Sequence, residues 1–161
     1  NFYSSIAVFD SLRDMGHEIT GEILGVTEWQ RPELDEYEQR EGVATRGFIE
    51  DGFYDYLGQF DLAIHPTARV SAGRISAEFA AVGVPCIGNA QNDLQRRCFP
   101  DLTVAPYDTP TITSIAHRLL TDDVFYESVV RRAQRAVADL QDHQTEVERL
   151  RRFVRSVEDR T

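Results

Sequence analysis

Lysine is absent from this chain. All 17 basic residues are arginine, set against 27 aspartates and glutamates, for a formal charge of −10. That balance argues against nucleic acid or an anionic membrane surface as the main partner, since both call for a positive face. An acidic, lysine-free composition fits a salt-adapted (halophile) or high-GC host, and so speaks of solvent rather than mechanism. Cysteine is scarce too. Cys86 and Cys98 lack metal-ligand spacing, and Cys86 falls in an apolar run where a small buried hydrophobe is expected. Nothing in the sequence calls for a disulfide, a metal or a cofactor. No apolar run approaches the roughly 20 residues of a membrane span, and no signal peptide is visible. A cytoplasmic location is therefore expected, with peripheral membrane association left open for a longer chain.

The 161 residues, 42% of them hydrophobic, are enough for one domain with its own core, spanning 1–161. The sequence starts without an initiator Met, inside a helical pattern, and is expected to be a piece of a longer protein. Phe2, Ile6, Phe9 and Leu12 recur at helical spacing until Gly16. His17–Val26 alternates as a strand, and Thr27–Glu41 is an acidic loop or short surface helix containing Pro32. Val43–Ile49 reads as a strand and Glu50–Phe60 as a short amphipathic helix. Further on, Asn92–Phe99 predicts one or two helical turns and Leu102–Pro106 a strand. Thr111–Thr121 and Asp122–His143 predict helices, the second capped by Asp122 or Asp123, and Gln144–Asp159 continues in the same manner. Arginines and glutamates on these last helices read as a solvated face. Alternation of strand and helix through residue 121 predicts an α/β fold: a Rossmann-like parallel sheet with helices on both faces, closed by C-terminal helices.

The chain is organised around Asp61–Asn89, DLAIHPTARVSAGRISAEFAAVGVPCIGN. It predicts a buried strand (Asp61–Pro66), a loop (Thr67–Arg74), a helix carrying Glu78, and a second buried strand (Pro85–Gly88). A strand emptying into a glycine-bearing loop at a helix N-terminus makes an anion site, because the first-turn N–H groups are unpaired and the helix dipole is positive there. Gly73 permits close backbone approach to a phosphate. Arg74 offers bidentate pairing, Ser71 and Ser76 offer hydroxyls, and Glu78 offers a bidentate acceptor for vicinal hydroxyls. For each of these residues an ordinary turn, a cap or a solvated side chain is the alternative reading. His65, at the carboxyl end of a central strand, is read as structural.

These residues carry a resemblance. Asp61–Pro66, Gly73, Glu78, Ala80, Ala81, Gly83 and Pro85 fall on the pattern of the C-terminal, donor-binding domain of GT-B glycosyltransferases, most like the retaining family 4, and the order of elements agrees over nearly the whole chain. The resemblance implies a nucleotide-sugar substrate, UDP- or GDP-linked, with no metal bound by the protein. Glu78 would lie on the ribose, and Ser71, Gly73, Arg74 and Ser76 near the diphosphate. The backbone of Gly47, Phe48 and Ile49 would read the base. It also implies a preceding strand with a basic loop and an acceptor-binding N-terminal domain, both outside this sequence. Asn89–Asp93 lies where the family has a loop facing the sugar. No catalytic residue is assigned, since the family's histidine belongs to the other domain. One departure matters: Val70 stands where the family has the first glutamate of its pair. A GT-B nucleotide-sugar epimerase, or a GT-B-like domain without donor chemistry, are the alternatives.

Overall fold

The computed structural model describes residues 2–27, 34, 42–141, 147, 151–152 and 155. Most of the acidic segment Thr27–Glu41 and of the terminal stretch Gln144–Asp159 lies outside them. Helix α1 (Phe2–Asp14) buries Ile6, Val8 and Leu12, so Val8 rather than the expected Phe9 sits deepest. It ends where Gly16 N–H reaches Arg13 O (2.9 Å) and His17 N–H reaches Leu12 O (3.1 Å), the paired bonds of a glycine-terminated helix. The two histidine rings of His17 and His117 then meet, Nε2 to Nδ1, at 2.8 Å.

Among the described residues five short strands follow the expected order, four of them shorter than their apolar pattern, while the strand expected at Pro85–Gly88 keeps its length one residue later. Strand β1 (Gly21–Leu24) pairs in parallel with β2 (Val43–Arg46), Gly21 opposite Val43. A short helix α2 (Phe53–Leu57) leads to β3 (Ala63–His65). Helix α3 (Arg74–Val82) leads to β4 (Cys86–Asn89) and helix α4 (Asp93–Cys98) to a 3-10 turn (Pro100–Leu102) and β5 (Thr103–Val104). The ladder β3-β4-β5 is parallel throughout, with Ala63 opposite Cys86 and Gly88 opposite Thr103. The parallel sheet thus comes as two pieces, β1-β2 and β3-β4-β5.

Helices α5 (Thr109–Thr121) and α6 (Asp123–Gln141) close the described fold. Asp108 caps α5 by accepting from Thr111 N–H at 3.2 Å, and Asp122 caps α6 by accepting from Phe125 N–H at 2.9 Å. That bond holds the Asp122 carboxyl below its ordinary range. Helix α1 packs on α5, whereas α3, α4 and α6 pack on one another, and β4 touches helices of both groups. Every residue of β4 is buried as a result. Around it Leu57, Ile87, Phe99, Leu102, Ile112 and Leu119 form the core. Each is worth about 1.5–3 kcal/mol relative to exposure, which is why short ladders suffice. Cys86 and Cys98 are free thiols inside this core, and burial pushes them up to about 12 and about 11, so neither is a nucleophile at neutral pH. No helix among the described residues is long and apolar enough to cross a membrane.

Candidate functional site

The carboxyl ends of β1, β2 and β3 open into one cleft of about 880 Å³. Ligands of open α/β sheets sit at that end, because the strand-to-helix loops there present free N–H groups. Gly25 comes from the end of β1, Gly47, Phe48 and Ile49 from the end of β2, and His65 from the end of β3. Ser71, Gly73, Arg74 and Glu78 come from the loop after β3 and from α3. Of the eight residues expected to bind the donor, all but Ser76 line this cleft, whereas Asn89–Asp93, expected to face the sugar, do not.

Gly73 is the hinge of the site. It holds φ +75°, ψ 40° at the N-terminus of α3, and a Cβ added there would stand 2.9 Å from Asn92 Cβ. Both the left-handed backbone and the close approach require glycine. Helix α3 has no side-chain cap, and of its first-turn N–H groups that of Ser76 returns to Gly73 O at 3.0 Å. Ser71 is turned to local duty. Its N–H and hydroxyl donate to Asn92 Oδ1 at 3.0 and 3.2 Å, and its Oγ accepts from Gly73 N–H at 3.2 Å.

Arg74 and Glu78 are paired with each other, Nε to Oε1 at 3.1 Å, one turn apart on α3. The arginine side chain is 88% exposed and the glutamate 14%. An ion pair with so exposed a partner is weak, so the guanidinium can leave for another anion while the carboxylate stays at the cleft wall. Phe48 is 79% exposed over the mouth of the cleft, and Gly25 lies beneath it, a position where a Cβ would meet the Phe48 ring at 3.8 Å. Val70 is 76% exposed and does not line the cleft.

Ser76 stands elsewhere than expected. It is fully buried, and its hydroxyl donates to Gln95 Oε1 at 2.7 Å, behind the loop rather than toward the cleft. The reason is a row of buried amides, in a stretch whose pattern predicts a polar loop and a helical turn. Asn89, Asn92 and Gln95 recur every third residue and are 0%, 1% and 0% exposed. Asn89 Nδ2 donates to Thr67 O (2.7 Å), Asn92 accepts from Ser71, and Gln95 Nε2 donates to Cys86 O (2.8 Å). Together they fasten the Thr67–Gly73 loop and α3 to the end of β4. The three-residue spacing of amides was the signal. Without burial it looks like any polar run. Among the described residues, no three histidine, cysteine or carboxylate side chains stand together as metal ligands.

His65 is held neutral. Burial lowers its pKa, and its Nδ1 has no hydrogen-bond partner. Since the folded pKa lies below the ordinary 6.5, the unfolded chain takes up a proton first, and stability falls as pH drops through 6.5 toward the folded value. His65→Gln should abolish that dependence. Between pH 7.5 and 5.5 the unfolding free energy from urea denaturation should fall further for the wild type than for the variant, by at most about 1.4 kcal/mol per pH unit. Equal falls would mean that His65 does not titrate differently on folding.

Together, parallel strands, flanking helices and a cleft at the strand ends define a Rossmann-like α/β fold of the kind found in one half of GT-B glycosyltransferases. No protein-family model matches the sequence, and no curated protein does. Among solved structures, sucrose-phosphate synthase from Thermosynechococcus elongatus is similar, with a TM-score of 0.66 and 19% sequence identity, over 87% of this chain and 39% of that one. At that identity the likeness is one of fold. This chain spans about two fifths of the length of that enzyme.

Proposed function

We propose that this chain is the donor-binding domain of a family 4-like glycosyltransferase, holding a UDP- or GDP-linked sugar and stabilising the diphosphate that leaves. The observation that carries the reading is the convergence on one cleft of the uncapped α3 N-terminus at Gly73, the Arg74 guanidinium and the Glu78 carboxylate. An anion at the helix N-terminus gains from the first-turn N–H groups without a side-chain cap and from the dipole. Arg74 then exchanges Glu78 for a phosphate, and the freed carboxylate accepts from the ribose hydroxyls as a bidentate partner. The base lies toward Gly47–Ile49, with Phe48 as an aromatic surface. Charge grows on the leaving diphosphate in the transition state, so preorganised donors there lower the barrier without any nucleophile on this chain. The acceptor side, in this reading, comes from another domain. The fold likeness to a glycosyltransferase supports the same reading.

Titration of UDP-glucose and GDP-mannose into the chain by calorimetry tests it. One nucleotide should bind saturably at low salt, and Arg74→Ala and Glu78→Ala should each weaken it about tenfold, the loss of one charge-assisted contact. Absence of saturable binding by both would sink the donor site. Binding untouched by both substitutions would move it off these residues.

Val70 favours a second reading, a nucleotide-binding domain without transfer. Valine cannot hydrogen-bond a hexose where the resembling family has a carboxylate, and here it faces solvent. Equal affinity for UDP and UDP-glucose (or GDP and GDP-mannose) supports this second reading, and a clear preference for the sugar form refutes it.

A further inference from the structure

Two of the four histidines, His17 and His117, lie 100 residues apart along the chain and meet in the fold. His17 follows Gly16, whose φ of +91° turns the chain back over the end of α1, and its N–H is held by Leu12 O at 3.1 Å. His117 stands on α5 in line with Thr113 and Leu120, a half-buried stripe beside the buried row Ile112, Ala116 and Leu119. Both imidazoles are half-buried, and the packing of α1 on α5 fixes the backbones that carry them. Nε2 of His17 lies 2.8 Å from Nδ1 of His117, with the rings edge to face at 66° and 5.0 Å between centroids. Neither residue lines the cleft at the strand ends. A hydrogen bond between the two nitrogens uses one N–H and one lone pair. Moving that one proton to the far nitrogen of its own ring leaves a lone pair on each facing atom.

We propose that His17 and His117 form a two-histidine site for a divalent transition-metal ion of the copper(II) or nickel(II) kind, with solvent completing the coordination. Separation is the first argument. Metal–imidazole bonds run about 2.0–2.1 Å, so two ligands at a right angle stand ~2.9 Å apart and two tetrahedral ones ~3.3 Å. The observed 2.8 Å matches the right angle of tetragonal copper(II) and nickel(II), and is short for tetrahedral zinc. Ring angle is the second. Two imidazoles that meet at 66° clear each other as neighbouring ligands, where coplanar rings would clash at their C–H edges. Preorganisation is the third. The helices already hold both residues in contact, so binding turns the rings about their side-chain bonds and moves no backbone. Ligand type narrows the ion further. Imidazole suits copper, nickel and zinc rather than the oxygen-seeking magnesium and calcium, and copper(II) leads the affinity series. The formal charge of −10 also favours a cation. In the bound state Nδ1 of His17 and Nε2 of His117 carry the protons, as the far nitrogens of ligating histidines do. An ion there ties the end of α1 to α5, so it acts on stability. The proposal is independent of the nucleotide reading.

Titration of copper(II) into the 161-residue chain, followed by calorimetry and electron paramagnetic resonance, tests it. One ion should bind per chain, with hyperfine structure from two nitrogens. At a free concentration of about 100 times Kd, Tm should rise by about 5–10 °C. Zinc should bind at least ~10-fold more weakly. His17→Gln and His117→Gln each leave an amide that can hydrogen-bond the remaining ring, so both variants should fold. Each should weaken copper(II) binding at least ~10-fold, reduce the hyperfine pattern to one nitrogen and abolish the rise in Tm. His65→Gln, at the strand-end cleft, should change none of these. A two-nitrogen signal and a Tm rise that survive either substitution in the pair would put the ion elsewhere and overturn the proposal. Absence of saturable binding would overturn it too, leaving a plain hydrogen bond between the rings. So would zinc binding as tightly as copper(II), since the right-angle separation would then not select the ion.

Discussion

Gly88→Val should unfold or nearly unfold the domain. Gly88 lies in β4, and a side chain there would drive a Cβ into the Gln95 amide, with Cδ only 2.7 Å away. Gln95 has nowhere to go. It is fully buried, its Oε1 accepts from Ser76 Oγ and its Nε2 donates to Cys86 O. Valine must expel it, leaving a buried serine hydroxyl and carbonyl oxygens without partners. Overpacking costs about 1–3 kcal/mol and each orphaned group about 1–3 more, so a loss of at least about 4 kcal/mol is expected from a total of about 5–15. Urea denaturation measures it. The cause is separable from generic crowding, because Gly88→Val combined with Gln95→Ala should be more stable than Gly88→Val alone. If removing Gln95 instead adds its own cost in full, the steric account fails.

Gly73→Val is the second large effect, and it reaches the site as well as the fold. A β-branched residue at φ +75° is a backbone outlier, and its Cβ would press on Asn92, which is 1% exposed. The left-handed conformation alone costs about 1–2 kcal/mol, and the clash brings the expected loss to about 3 kcal/mol. Asn92 holds Ser71, so displacing it frees the loop at the candidate site. Midpoint shifts in urea read the stability. If the donor proposal holds, nucleotide affinity should fall by more than tenfold at temperatures where the variant is still folded. Gly73→Ala should show the same pattern at reduced size. A variant that is destabilised yet binds normally would separate the loop from the ligand.

Much of the fold was legible along the chain because its signals are local. Apolar spacing marked α1, α5 and α6, and Asp122 stands at the cap where a carboxylate before an amphipathic run predicts one. Gly83 and Pro85, which fall on the resembling family's pattern, stand where α3 ends. Gly83 N–H and Val84 N–H return to Ala80 and Phe79 before the chain enters β4. Strands other than β4 end before their apolar pattern does, since that pattern continues past the residues that find a ladder partner. The cleft residues Gly73, Arg74 and Glu78 were legible for the same reason. They lie within one loop and the first turns of one helix, so their proximity is a matter of sequence spacing alone.

What the sequence determined by itself, then, was the alternation that selects a parallel α/β architecture and the glycine-led helix start that makes one strand end attractive to an anion. Tertiary structure alone decided which polar groups serve that site and which serve the scaffold. Ser76 and Gln95 lie 19 residues apart and bond inside the core, and Asn92 reaches back over 21 residues to Ser71. It also brought His17 and His117 together across 100 residues. Burial and pairing are sums over contacts from segments far apart in the chain, and no window of local pattern contains those sums.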